Sequence, residues 1–272
     1  LSLWIKLLTA EMETTGRNGS VQPLIPSSRE ELYHAFTSYL FKTCEIKEDY
    51  FGTLPTASIP SDADNEEIGI KKTADEIKGE IKDIRRQDLE NFLINLAFKL
   101  QCRNNTACKY STALKLAETG VKGNDSETEK AKKLLQTFIE AGILVRDFSE
   151  IKFGIDRSFQ EYFAALKLKA YFEGGKDISE TFVHPNWENV VIFTSELLDA
   201  GDKLVNSVIS SGNLLLASKC AGKASLETKE KLCSLLETKL ESKYTVEKIR
   251  AIQSLGILGA PGIEAISKAL KD

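Results

Sequence analysis

Two histidines, His34 and His184, and five cysteines, Cys44, Cys102, Cys108, Cys220 and Cys233, are the residues of this 272-residue chain best suited to nucleophilic or metal chemistry. Their spacing supports neither. The cysteines are odd in number, scattered and without a C-x-x-C pair, which points to free thiols in a reducing, cytoplasmic compartment. With so few histidines a zinc site is not expected. His34 lies in a helical pattern beside Leu32 and Phe36, and His184 precedes Pro185 in a loop, so neither is assigned as catalyst or ligand. Phosphate chemistry is also missing. No G-x-x-x-x-G-K-[ST] run occurs, and the glycines near Gly16 and Gly19 lack the Lys and Ser/Thr that would meet phosphate and magnesium. G-x-S-x-G and H-E-x-x-H are absent. No isolated carboxylate pair stands in an apolar setting for acid–base work. The chain alone is therefore expected to be inactive, with no catalytic residue, no metal site and no cofactor of its own.

Bulk composition narrows the partners. Lys plus Arg number 36 against 40 Asp plus Glu, a net charge of −4, so no global field draws the chain to nucleic acid or anionic lipid. With 42% hydrophobic residues the length suffices for two or three domains with buried cores. No apolar run approaches the roughly 20 residues of a membrane span, so no membrane partner is expected. The apolar start Leu1 to Ala10 runs into Glu11 and Glu13 without a small-residue cleavage site, unlike a signal peptide. The opening residue is Leu, as in a piece cut from a longer chain.

The stretch "FGIDRSFQEYFAALKLKAYF", residues 153 to 172, shows how the elements must be arranged. Phe153 and Ile155 alternate with small or polar neighbours like the end of a half-buried strand, and Asp156 is a good N-cap for the helix that follows. Phe159, Tyr162, Phe163, Leu166 and Ala170 then recur at helical spacing, predicting one buried face, and Gly174 and Gly175 end the helix.

Upstream, "LSLWIKLLTAEME" reads as a buried helix without an N-cap, and Ser28 with Glu31 forms a capping box for a helix whose apolar face is Leu32, Phe36, Tyr39 and Leu40. Residues 48–80 are rich in Pro, Asp, Glu and Lys and poor in periodicity, as in a surface excursion or linker. Leu89, Phe92, Leu93, Leu96 and Leu100 mark a strong helix, and a shorter one follows around "YSTALKLAE". A third starts at the capping box of Ser126 and Glu129, turns Leu134, Leu135, Phe138 and Ile139 inward and stops at Gly142. "ILVRDFSEIKFGI" carries two β-type runs about a turn from Asp147 to Glu150. Three helices, a two-stranded wing and another helix make a winged helix, assigned to 81–175. From 176 to 272 successive helix-sized apolar segments with short breaks predict an α-solenoid. Its best-formed unit runs to Leu258, stops at Gly259 and restarts at Pro261. The predicted class is mainly α: a helical segment (1–47), the excursion, a winged helix with a small β-hairpin, and HEAT-like helix pairs.

Several stretches resemble the part of a NACHT-type STAND ATPase that follows its nucleotide-binding core. "LIPSSREELYHAFTSYLF" looks like a helix of that family through Arg29, Leu32, Tyr33 and Phe36. "DRSFQEYFAAL" is similar to the family's winged-helix signature through Phe159, Gln160, Glu161, Tyr162, Phe163, Ala164 and Ala165. "LSLWIKLLTAEM" and "HPNWENVVIFTSELL" resemble segments at the corresponding places, and the last unit resembles HEAT-like repeats. In that family a histidine three residues before the signature Phe reaches bound phosphate; here the position is Asp156, whose carboxylate would repel phosphate. Asp156 is thus a weak candidate for nucleotide sensing, and a helix cap on its local chemistry.

The resemblance implies the regulatory and sensor portion of a nucleotide-dependent switch, acting in ligand sensing and in innate or antiphage defence. It implies an upstream nucleotide-binding domain that uses ATP or ADP with Mg, a protein or peptide ligand on the solenoid, and oligomerisation of the parent protein on activation. Phe159, Tyr162, Phe163 and Leu166 are expected to form the structural core of the switch. A free-standing helical interaction scaffold is the alternative. A winged-helix DNA-binding regulator is disfavoured, because Lys130, Lys132 and Lys133 are balanced by Glu127, Glu129 and Glu140, and Arg146 and Lys152 by Asp147 and Glu150.

Overall fold

The computed structural model describes residues 29, 31–35, 37–38, 86–120, 127–154 and 156–269. The predicted helix at the amino terminus, the excursion at 48–80, the cap residue Ser126, and Phe36, Tyr39, Leu40, Cys44 and Ile155 lie outside the described residues. Within 31–35 the backbone is helical, with Tyr33 buried and Leu32 half-buried. The protein is mainly helical, with a small three-stranded antiparallel sheet.

The described residues divide into two compact units, and the division falls inside the first long helix, α1 (Arg86–Cys102). One unit comprises the described residues up to Leu93 together with those from Ala107 to 154; the other comprises Ile94–Thr106 and everything from Asp156 on.

In the first unit, β1 (Ala107–Lys109) leads directly into α2 (Tyr110–Gly120), and α3 (Glu127–Glu140) is followed by β2 (Leu144–Asp147) and β3 (Glu150–Phe153). Helices α2 and α3 pack together, and Ala113 and Ala117 of α2 and Leu134, Leu135 and Phe138 of α3 are all buried. Phe92 stacks on Phe138 with ring centroids 5.7 Å apart. Ile139, expected inward, is only half-buried. The hairpin has the anticipated turn, with Leu144 opposite Phe153 and Asp147 opposite Glu150. Its inward residues are Leu144 and Ile151, both completely buried. The third strand was not anticipated. β1 pairs with β3, Cys108 opposite Ile151, giving the order β1-β3-β2. At three residues it is too short to carry a period-2 pattern and is made by the pairing alone.

The second unit holds the end of α1 and a run of helices: α4 (Arg157–Glu173), α5 (Glu188–Leu197), α6 (Asp202–Ser210), α7 (Leu214–Cys220), α8 (Leu226–Leu240), α9 (Thr245–Ile257) and α10 (Ala260–Ala269). Each apolar segment read from 176 onward forms one of these helices. They pack on near neighbours in sequence, α4 on α5, α6 on α7, and α9 on α7, α8 and α10. Ser225 caps α8 by accepting from the Thr228 N–H, and the Asp202 carboxylate at the start of α6 accepts both the N–H and the hydroxyl of Ser225 at 2.8 Å. The break between α9 and α10 is Gly259, at φ +70, where a glycine adopts the left-handed conformation at no steric cost. Among the described residues no helix is long and apolar enough to cross a membrane.

Candidate functional site

The site is built around the first turns of α4. Asp156 has extended backbone (φ −164, ψ 156) and its carboxylate accepts the Ser158 N–H at 3.4 Å, so it is the N-cap of α4. Its side chain is exposed. Phe159, Tyr162 and Phe163 are each at most 2% exposed. Leu166 departs from the expected core in being only half-buried, and Ala170 is exposed. The burial instead follows Glu161, Ala165, Leu168 and Phe172, while every residue from Phe159 to Ala165 is buried. Neighbours cover the start of α4 all round, and only its later turns present a single face.

That enclosure places two polar side chains inside. Gln160, 2% exposed, donates through Nε2 to Gln101 Oε1 at 3.2 Å and to the Asn105 carbonyl at 3.0 Å. Gln101, at the end of α1, donates in turn to the Asn186 carbonyl at 2.5 Å, and the Asn186 amide donates back to the Gln101 carbonyl at 3.4 Å. Glu161 accepts from Asn189 Nδ2 at 3.1 Å and pairs with Arg157 Nε at 3.3 Å. These bonds tie α4 to the end of α1, to the short turn Pro185–Trp187 and to α5. Around them, Tyr162 meets Phe193 edge to face at 5.9 Å, and Phe98 contacts both Tyr171 (5.3 Å) and Trp187 (5.5 Å). The polar network was missed in the sequence. Its signal was present: a Gln-Glu pair enclosed by apolar residues on both sides, in "SFQEYFAAL", leaves polar groups no route to solvent if the run is buried.

No family model, curated protein or solved structure matches this chain.

The remaining candidates fall elsewhere. His34 is an exposed helical residue, and His184 precedes the Pro185–Trp187 turn, its carbonyl accepting the Trp187 N–H at 3.0 Å. Cys102, Cys108, Cys220 and Cys233 are free thiols. Burial pushes the Cys220 thiol up to about 12, which keeps it protonated and unreactive. On α3, Lys132 pairs with Glu129 at 2.9 Å, and that hydrogen bond raises its pKa above the usual lysine value. In the hairpin, Lys152 pairs with Asp147 at 3.7 Å and the Arg146 guanidinium lies 4.4 Å over the Tyr110 ring. These cations are therefore engaged within the protein. Among the described residues no group of three His, Cys, Asp or Glu side chains is placed to hold a metal ion.

Proposed function

We propose that this chain is the regulatory and sensor portion of a NACHT-type signal-transduction ATPase. The observation that carries the reading is the helix "DRSFQEYFAAL": it directly follows the β2–β3 hairpin, and its Gln160 and Glu161 are anchored in buried hydrogen bonds to neighbouring elements. The order helix, strand, two helices, hairpin suits a winged helix, and the third strand, pairing with β3, adds support. The helices after α4, packed on near neighbours in sequence, suit a HEAT-like sensor array.

In this reading an upstream domain holds ATP or ADP with Mg, the winged helix closes over it, and a ligand on the helical array shifts the closed and open populations by its differential affinity for them. Oligomerisation of the parent follows opening, in ligand sensing of the kind used in innate or antiphage defence. Asp156 is the residue at the family's phosphate-sensing place, and its cap role is compatible with having lost that contact.

The test is the nucleotide content of the parent protein, with a core-sized domain preceding residue 1, purified and denatured to release what it holds. Bound ADP is the expected result, and Asp156→His is then expected to slow its loss. A parent that neither binds nor hydrolyses ATP would overturn the reading and leave a helical interaction scaffold.

A further inference from the structure

Between the turn at 211–213 with the start of α7 and helices α8 and α9 lies a groove of about 540 Å³, in the range of sites that take a few side chains. Its apolar lining includes the half-buried Leu214 and Leu215 and the buried Leu236 and Ala251. The charged groups lining it are Lys239, Glu247 and Arg250, so its net charge is 2 − 1 = +1. Lys239 and Glu247 neutralise each other at 3.7 Å. Arg250 is exposed, its backbone carbonyl takes the Ser254 hydroxyl, and among the described residues nothing pairs its guanidinium. A guanidinium fork beside aliphatic surface is matched by a carboxylate with an aliphatic neighbour, because the fork takes both carboxylate oxygens while the neighbour covers the leucines. A phosphate dianion fits less well, since only one cation is left over and Glu247 shares the groove.

We propose that this groove binds a peptide segment of a partner protein carrying an acidic side chain next to an aliphatic one. The inference gives the proposed sensor array a ligand class, yet it is measured on this chain, whereas the switch reading is measured on nucleotide in the parent, so either can fail alone.

The experiment selects binders for the full 272-residue chain from a displayed library of random short peptides, then measures the enriched peptides by fluorescence anisotropy. Enrichment of Asp or Glu beside Leu, Ile or Val is expected. Arg250→Glu should weaken those peptides about tenfold or more, as for loss of a charge-assisted contact. Arg103→Glu, at an exposed arginine outside the groove, should change nothing. Arg250→Gln, which keeps much of the side chain's length without its charge, provides the same reading should the reversal disturb folding. No enrichment, peptides without an acidic residue, or binding that survives both Arg250 variants would overturn the proposal. Self-association abolished by Arg250→Glu would overturn it in favour of a second copy, and a requirement for phosphate on the peptide in favour of a phosphopeptide.

Discussion

Gln160 shows what one buried polar group costs and contributes. Its amide nitrogen satisfies two acceptors, Gln101 Oε1 and the Asn105 carbonyl, that come from the end of α1 and the loop after it. Gln160→Leu keeps the volume but leaves those acceptors without a donor, a loss of about 1–3 kcal/mol that urea unfolding should register. Cys220 makes a pH-dependent contribution. Its thiol is held protonated up to about 12 in the folded protein, while in the unfolded chain it ionises near its ordinary value of about 8.5. Below that value both states carry the proton and the group contributes its full stability. Above it the unfolded state loses the proton first, so stability falls as pH rises, by up to about 1.4 kcal/mol per pH unit. Urea midpoints from pH 8 to roughly 10.5 should drop more steeply for the wild type than for Cys220→Ala; parallel curves would contradict the assignment.

At the scale of elements, the approach of α9 and α10 depends on the absence of a side chain. A Cβ on Gly262 would sit 1.8 Å from the Leu255 carbonyl oxygen, a backbone atom that cannot yield without moving a helix. Gly262→Ala should therefore destabilise by at least the roughly 1–3 kcal/mol typical of overpacking, with faster amide exchange concentrated in α9 and α10. At Gly256, inside α9, a Cβ would meet nothing within 4 Å. Gly256→Ala should stabilise by up to about 1 kcal/mol, because alanine loses less backbone entropy in a helix. The contrast separates a packing glycine from a merely tolerated one. Helix α4 makes a related point about faces. The spacing of Phe159, Tyr162, Phe163, Leu166 and Ala170 was legible as one stripe, yet Leu166 and Ala170 are not in the core and Leu168 and Phe172 are. Both stripes are apolar enough to be buried, so the choice between them depended on which neighbours arrived.

At the scale of the whole molecule, charge decides what the surface attracts. With −4 overall, and with Lys132, Lys152 and Arg146 engaged by Glu129, Asp147 and Tyr110, the charge balance predicts weak binding to duplex DNA. Anisotropy with labelled duplex at near-physiological salt should show no saturable binding below about 10 μM, weaker than specific readers by orders of magnitude. Tight, strongly salt-dependent binding lost on Lys132→Glu would revive the DNA-regulator reading. The helices from 188 to 269 were legible because their information is local: apolar recurrence within a few turns, stops such as Gly259, caps such as Ser225. Hairpin and cap at 144–156 were legible for the same reason. Three features were not: the strand Ala107–Lys109, the burial of Gln160 and Glu161, and the groove beneath Arg250. Each needs groups far apart in the chain, such as Cys108 with Ile151, Gln160 with Gln101, and Leu214 with Leu236 and Arg250. A periodic pattern says that a face must be covered; what covers it, and which polar atoms are enclosed when it is, follows only from the packing of elements on one another.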